Sequence, residues 1–447
     1  MQEKDLLQFH MPYGRIQITA KAKATGYTDS DMSNVVMYYS RPHINRKDGT
    51  TLQITNCRAA VTNYEIYLDG TKVGDAAYSG EDGGMLDVDL TSFGFVSQAI
   101  NKVYVKGIGT NVEDNQSEIL DFWYGENVVL GVSGLYQSEP ALTRTDDAVG
   151  LSWTMSNNII SSDFDNKFPY NQMQRETIDG DVFVYIPAMY WRIGFDNNYY
   201  ITDIAVAPAG MEIGENQILA HSDAFYYGAY GARIVDGQMR SIGEGIRIGN
   251  RTRAQFRRDA KARGAKYRQL DLYHMRILDF LWLIEFATKD SEAVMQGYTS
   301  YNDKCGLTDS LTVPSGQLSS NGRMRWRYIE DFIGNGLEFF DGLTANKATD
   351  IESNYTDDKM TGELTFSPSN GYFKSLKIDL SKPFIAVPQQ KDGNVSTYYC
   401  DSVVFGGNAV YSRGRGGSGS NYGLFYIYAC NERYYYNNIG SRLLLIP

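Results

Sequence analysis

Cysteine is scarce in this chain. Cys57, Cys305, Cys400 and Cys430 are its only four, and none belongs to a C-x-x-C pair. That argues against a thiol-stapled miniprotein and a zinc knuckle. Histidine is equally sparse, at His10, His43, His221 and His274, which leaves little material for a histidine-rich metal centre. Basic excess is missing as well: 42 Lys and Arg against 53 Asp and Glu give a net charge of −11, which disfavours a general affinity for phosphate backbones. The most apolar stretch, Ile277 to Ala287, is interrupted by Asp279 and Glu285 and falls short of the roughly 20 residues of a membrane span. The opening MQEKDLLQFH carries Glu3 and Asp5 and no apolar h-region, so no signal peptide is expected there.

What is present is a folding composition. Hydrophobic residues make up 43% and charged residues 21%, which argues against disorder. A chain of 447 residues has room for about three domains at roughly 150 residues each. Its 34 Tyr outnumber Phe and Trp together, and 44 Gly stand against 11 Pro. Tyr with Gly points to strands, turns and a recognition surface, because Tyr offers a large amphipathic contact at low entropic cost.

The first 125 residues show the two-residue alternation of strands. Ile16, Ile18 and Ala20 alternate with Gln17, Thr19 and Lys21, a turn spans Gly26 to Ser30, and the apolar run Val35 to Tyr39 follows. Val103 and Val105 alternate in the same way, ahead of a turn from Gly107 to Asn115 and the run Ile119 to Trp123. Lys23-x-x-Gly26 with Ser33 matches Lys106-x-x-Gly109 with Ser117, allowing one inserted residue, and reads as an internal repeat. Further strands are expected at Thr51 to Thr55, Tyr64 to Leu68 and Met85 to Asp89. Asp69-Gly70 should form a tight hairpin, since both turn positions need φ > 0. Short alternating strands with frequent turns indicate a β-sandwich.

From about residue 127 the texture changes. Val182 to Pro187 reads as a buried strand that Tyr190 to Ile193 continues. Thr252-Arg253-Ala254-Gln255 fits a capping box, opening a helix expected to run to Gly264 as its C′ glycine. Asp271 can cap a second helix. On it Met275, Leu278, Trp282 and Phe286 recur at three- and four-residue steps, defining one apolar face for core packing.

Residues 43–125 resemble the bacterial immunoglobulin-like or fibronectin-like modules strung along adhesins and phage tail fibres. The first repeat copy has room only for the last strands of such a module. The frame Gly419-Ser420-x-x-Gly423-Leu424-Phe425, followed by Asn438-Ile439-Gly440-Ser441-Arg442-Leu443, resembles the C-terminus of C-type-lectin-fold variable proteins. Those are diversified by diversity-generating retroelements, or occur undiversified as phage tail tip and receptor-binding proteins. Ser441 stands where that family usually has Phe. Thr252 to Arg257, Gln269-Leu270-Asp271 and Leu281 to Ala287 are similar to the two-helix part of such tail proteins. Thr145 to Gly150 is similar to their lead-in, and Tyr185 to Trp191 fits one of their strands. The resemblance implies a multidomain protein with N-terminal all-β immunoglobulin-like sandwich modules and a C-terminal α+β C-type lectin fold. Residues 1–42 would be a partial immunoglobulin-like module or attachment segment, 43–126 an immunoglobulin-like β-sandwich, and 127–447 lead-in strands with a C-type lectin-like ligand-binding domain.

The residues of the final segment support a binding role in their own right. Gly423, Leu424, Phe425, Ile439, Gly440, Leu443 and Leu445 are interspersed with Tyr411, Arg413, Arg415, Ser418, Asn421, Tyr422, Tyr426, Tyr428, Asn431, Arg433, Tyr434, Tyr435 and Tyr436. A rigid frame displaying Tyr, Ser, Gly, Asn and Arg has the composition of a binding paratope, so the second set comprises the candidate ligand-binding residues. Tyr434-Tyr435-Tyr436 cannot form an ordinary strand with one polar face, because adjacent side chains point to opposite sides. At least one ring is expected on the surface or in a loop. Adenine-directed mutagenesis of Asn codons can reach every residue from Asn408 to Asn438 except Glu432.

Rival chemistries find less support. Arg247 to Arg268 is basic, with Asp259 its lone acid. A solvated helix face or contact with an acidic neighbour is favoured there over nucleic acid. Asp163-Phe164-Asp165-Asn166 offers oxygen ligands for calcium but lacks the spacing and glycine of an EF-hand loop. The Glu-Pro-Asn and Trp-Asn-Asp sugar-site motifs of C-type lectins are absent, and no metal or cofactor is expected. Tail proteins can be depolymerases that use two carboxylates, yet sequence nominates no pair among 53 acids, and no Cys lies in a nucleophile signature with His. Cys400 and Cys430 read as buried or free thiols. The expectation is a non-enzymatic receptor-binding adhesin of a virion tail that grips a bacterial surface glycan or protein. It would join other tail proteins and, by analogy, form a homotrimer, without binding nucleic acid or inserting into a membrane. The alternatives are a tail-associated polysaccharide depolymerase and a variable protein displayed on a bacterial cell surface.

Overall fold

The structure is a computed structural model that describes residues 15–18, 36–39, 41–96, 99–110, 115–247, 249–298, 304–344, 370–405, 409–413, 423–431, 435 and 437–447. The chain divides into two compact units, Met1–Asn127 and Val128–Pro447. Both are rich in β-structure, and the two α-helices of the described residues lie in the second. No helix among the described residues is long and apolar enough to cross a membrane.

In the first unit, Arg15–Ile18 pairs antiparallel with Val36–Tyr39. The segment between them, with Lys23, Gly26 and Ser33 of the repeat, lies outside the described residues. The remainder forms two sheets. One has three strands, His43–Arg46, Thr51–Cys57 and Gly84–Asp89; the other runs in the order Thr71–Ala77, Val61–Leu68, Ala99–Gly109, Leu120–Tyr124. Alternation selects the inward residues. Leu52 and Ile54 from the first sheet meet Tyr64, Ile66, Val103, Val105 and Phe122 from the second in one core, every one fully buried. The Asp69-Gly70 turn is as expected, with φ of 47° and 82° and Leu68 paired to Thr71 across it. A Cβ on Gly70 would meet nothing within 4 Å, so a substitution there isolates backbone strain. Gly70→Val is expected to destabilise the protein by about 1 kcal/mol or more, read as a lower urea midpoint for the full chain.

The second unit is organised around a helix that its sequence describes only in part. The shorter helix, α1 (Arg253–Lys261), starts as expected. The Gln255 N–H donates to Thr252 Oγ1 at 3.2 Å and the Thr252 N–H to Gln255 Oε1 at 2.9 Å. It stops before Gly264, capped at Ala262, and a tight turn through Gly264 leads into the strand Tyr267–Gln269. The longer helix, α2 (Leu272–Phe286), is capped by Asp271, whose carboxylate accepts the His274 N–H at 2.9 Å. The expected single apolar face is corrected here: all 15 residues of α2 are buried. Its charged residues tolerate this because they find partners in the interior. Arg276 reaches Asp279 at 2.8 Å and the Ala386 carbonyl at 2.9 Å. Glu285 accepts from the Trp326 indole at 2.9 Å and from Arg327. The rings of Trp326 and Phe332 pack on Trp282 of the same helix, at 5.2 and 5.8 Å.

Sheets surround α2. Val182 to Ile193 is not one continuous strand. Asp181–Ile186 belongs to a sheet ordered Arg175–Ile178, Asp181–Ile186, Phe225–Gly228, Leu443–Leu445, Tyr267–Gln269. Met189–Phe195 belongs to another, ordered Thr143–Asp146, Leu130–Ser133, Ile201–Ala207, Met189–Phe195, Gln217–Ser222. The chain changes sheets at Pro187, which has no N–H to continue a ladder. The closing strand, Leu443–Leu445, thus lies inside a sheet between partners distant in sequence.

Candidate ligand-binding face

The segment nominated from sequence enters a six-stranded mixed sheet, ordered Gly371–Tyr372, Ser402–Phe405, Ile427–Asn431, Ala409–Arg413, Leu337–Thr344, Ile439–Gly440. Ser402–Phe405 runs parallel to Ile427–Asn431, and Leu337–Thr344 parallel to Ile439–Gly440; Ala409–Arg413 is antiparallel to both its neighbours.

Buried charge holds this sheet in place. Arg442 is 1% exposed. Its guanidinium donates to Glu338 from Nε at 3.0 Å and lies 2.9 Å from it through Nη2. It also donates to the carbonyls of Gly228 at 3.1 Å, Glu330 at 3.0 Å and Asp331 at 3.2 Å. Burial opposes the charge on Arg442, but Glu338 and further electrostatic partners outweigh it and raise the group above its ordinary value. Arg247, also buried, lies 3.7 Å from Glu338 and donates to the Leu337 carbonyl at 2.6 Å. Ser441 donates to the Phe339 carbonyl at 2.9 Å. The turn before Ile427 is clamped separately, with Asp401 accepting the Gly423 N–H at 2.6 Å and the Phe425 N–H at 2.9 Å. Burial pushes the Asp401 carboxyl well above the usual carboxylate range. Two glycines of the nominated frame are required by close approach. A Cβ at Gly423 would lie 2.3 Å from Ser291 Oγ, and one at Gly440 2.4 Å from Arg247 Nε.

On this frame the nominated residues separate. Tyr411 and Arg413 lie in Ala409–Arg413, and Asn431 ends Ile427–Asn431. The register sets Tyr411 opposite Phe340 and Ala429, Arg413 opposite Glu338 and Ile427, and Asn431 opposite Ala409. Tyr428, opposite Ser412, is half-buried against a core that contains Phe256, Phe339 and Ile439. Tyr435 is 65% exposed. Tyr426 requires a correction: at 3% exposure it is a member of that core. The clamped turn directs its ring inward, where its large apolar body is worth more than at the surface. Arg415, Ser418, Asn421, Tyr422, Arg433, Tyr434 and Tyr436 lie outside the described residues.

The basic segment is largely accounted for by internal pairing. Arg257 grips Asp341 through two nitrogens, Nε at 2.7 Å, while Arg253 lies 3.6 Å from the same carboxylate. Arg263 and Arg240 share buried Asp181 at 2.9 and 2.8 Å. Asp163 accepts from Ser152, and Asp165 pairs with Arg327 at 2.8 Å. Among the described residues no group of three or more His, Cys, Asp or Glu is placed to hold a metal. Burial pushes the Cys305 and Cys400 thiols up to about 12, so both stay protonated and unreactive at neutral pH.

Lys289 carries a role that sequence did not reveal. Its Nζ donates to the carbonyls of Gly134 at 3.3 Å, Leu135 at 3.2 Å and Gln137 at 2.6 Å, fastening the 134–137 loop. Burial pushes this amine down to about 8. Lys289→Met is expected to destabilise the protein by about 2 kcal/mol, because the buried Leu135 carbonyl loses this donor and the 134–137 loop loses its fastening; chemical denaturation of the full chain measures this. No protein-family model matches the chain, and a search of curated proteins finds no match for it either.

Proposed function

We propose that this protein is a non-enzymatic receptor-binding adhesin of a phage tail tip. Its C-terminal C-type lectin fold presents a tyrosine- and arginine-bearing face to a bacterial surface glycan or protein. A sandwich of three and four strands supports reading residues 43–126 as an immunoglobulin-like or fibronectin-like module. Two helices, a mixed sheet, and a closing strand inserted among distant partners support the lectin-fold reading of residues 127–447. In the particle, the N-terminal modules join other tail proteins and the assembly is a homotrimer, so that several weak contacts act together.

The observation that carries this reading is the contrast between frame and display. Buried Arg442, Glu338, Arg247 and Asp401 hold the sheet and its turn, while Tyr435 of the same segment is exposed. Preorganisation of this kind reduces the entropy lost when a ligand is gripped. The test is adsorption of the purified full chain to a panel of bacterial cells and surface polysaccharides, with and without Ala at Tyr422, Tyr434 and Tyr435. Loss of adsorption by a folded variant supports the reading. Release of oligosaccharide from any polysaccharide overturns it in favour of a depolymerase.

A further inference from the structure

We infer that the second unit accepts an extended peptide of a partner protein, which pairs with the open edge of Gln217–Ser222 and seats one bulky apolar side chain in the cleft beside it. The site uses no residue of the C-terminal segment and does not depend on the adhesin reading. Gln217–Ser222 is the outermost strand of a five-stranded sheet and pairs with Met189–Phe195 without a register shift. Two hydrogen bonds settle which of its backbone groups point outward. The Phe195 N–H donates to the Asn216 carbonyl at 2.9 Å, so that carbonyl faces the sheet. Backbone groups alternate sides along an antiparallel strand, which turns the N–H and C=O of Gln217, Leu219 and His221 to the open side. The His221 carbonyl obeys this parity: it accepts the Tyr273 hydroxyl, from the first turn of α2, at 3.4 Å. No donor or acceptor among the described residues meets the N–H or C=O of Leu219.

Exposed edges are ordinarily guarded by charge, proline or a bulge. Thr143–Asp146, the opposite edge of the same sheet, carries Arg144 and Asp146. Arg175–Ile178 carries Arg175 and Glu176 at the edge of its own sheet, and Thr71–Ala77 carries Lys72 and Asp75. Gln217–Ser222 has no Lys, Arg, Asp, Glu or Pro and no bulge, and its Leu219 is 47% exposed. Outward N–H and C=O groups on every second residue match the backbone of another extended chain, which supplies both partners at the same spacing. The cleft beside this edge adds selectivity. Its volume is about 350 Å³, and its far wall is the hairpin that joins Ser375–Asp379 to Lys382–Gln389. Leu219 faces Leu380 of that hairpin, which is 37% exposed, and the rings of Tyr273 and Phe384 meet edge to face at 5.0 Å in the lining. Lys382 is engaged, and Asp223 and Asp379 flank the strand and the hairpin turn, so no single sign of charge governs the site. An added strand alternates its side chains and thus sets one bulky apolar residue into this lining while its backbone pairs with Leu219.

Fluorescence anisotropy on the full chain tests the assignment with capped heptapeptides of sequence Thr-Val-Thr-X-Thr-Val-Thr, in which X is Phe, Leu, Gly or Asp. The Phe or the Leu peptide should bind about ten-fold or more tightly than the Gly and Asp peptides. Leu219→Pro is the discriminating variant. The ring removes an outward N–H and no ladder donor, a position where an edge strand tolerates proline, so the fold should persist and peptide binding should be lost. Leu219→Val keeps the N–H and should retain binding. Hydrogen exchange gives a second readout on the unaltered chain. The Leu219 amide should exchange freely without peptide and become protected with it, whereas the Ala220 amide, bonded within the sheet, should exchange slowly in both states. Tyr435→Ala should leave peptide binding intact, which separates this site from the adhesive face. Failure of both the Phe and Leu peptides to bind, equal binding of the Gly peptide, unchanged binding by Leu219→Pro, or a Leu219 amide that stays unprotected overturns the inference. So does an oligomer of the full chain that Leu219→Pro dissociates, which would assign the edge to a second copy.

Discussion

Arg442→Met should destabilise the second unit by about 3–5 kcal/mol, the cost of breaking a buried ion pair from one side. The substitution leaves Glu338 buried with Arg247 at 3.7 Å and removes the donor shared by the carbonyls of Gly228, Glu330 and Asp331. Those carbonyls belong to two places in the chain, Gly228 and the 330–331 turn, so the loss of their donor loosens the closing strand and both of these segments together. Arg442→Lys should fall between wild type and Met, because an ammonium keeps the charge but lacks the planar fork. Pairing Arg442→Met with Glu338→Met should recover part of the loss, since a buried pair replaced by apolar groups is often close to neutral. Urea unfolding of the full chain, analysed as a double-mutant cycle, reads these differences. A single Arg442→Met variant within about 0.5 kcal/mol of wild type, an ordinary surface effect, would mean that the pair does not hold the frame.

Ala at Tyr422, Tyr434 and Tyr435 should reduce adsorption by more than about 100-fold while leaving the melting temperature unchanged. Aromatic anchors at the centre of an interface commonly contribute about 2 kcal/mol or more each, and a factor of 100 requires only about 2.7 kcal/mol in all. Tyr426→Ala supplies the contrast. Its ring is 3% exposed among Phe256, Phe339 and Ile439, so its removal should cost about 3 kcal/mol of stability, the lower end for a buried aromatic truncation. Adsorption and melting measured on both variants separate display from packing. If the triple variant binds like wild type, the proposed adhesive face is refuted.

Much of the architecture is legible in the residues themselves. Thr51 to Thr55, Tyr64 to Leu68 and Met85 to Asp89 all fall within strands, because a half-buried strand writes its two-residue period into the chain. Asp69-Gly70 and the Thr252–Gln255 box are similarly self-contained, requiring only φ values or hydrogen bonds within a few residues. Glycines at 423 and 440 stand out in the sequence as parts of a frame, but the reason for them lies in side chains from elsewhere, Ser291 and Arg247.

Sequence alone thus determined where several strands of the first unit, the Asp69-Gly70 turn and both helix starts fall, and that the C-terminal segment is rich in the residues of recognition. Only the tertiary structure decided which of those residues are displayed. Tyr426 and Tyr435 are the same amino acid nine positions apart, one in the core and the other at the surface, and no local period distinguishes them. It also decided that α2 is buried on every side and that much of the basic stretch around α1 is paired internally. The physical reason is the same in each case. A charge can be buried only when a partner meets it, and Arg442 finds Glu338 across 104 residues of chain, a separation that only the fold closes.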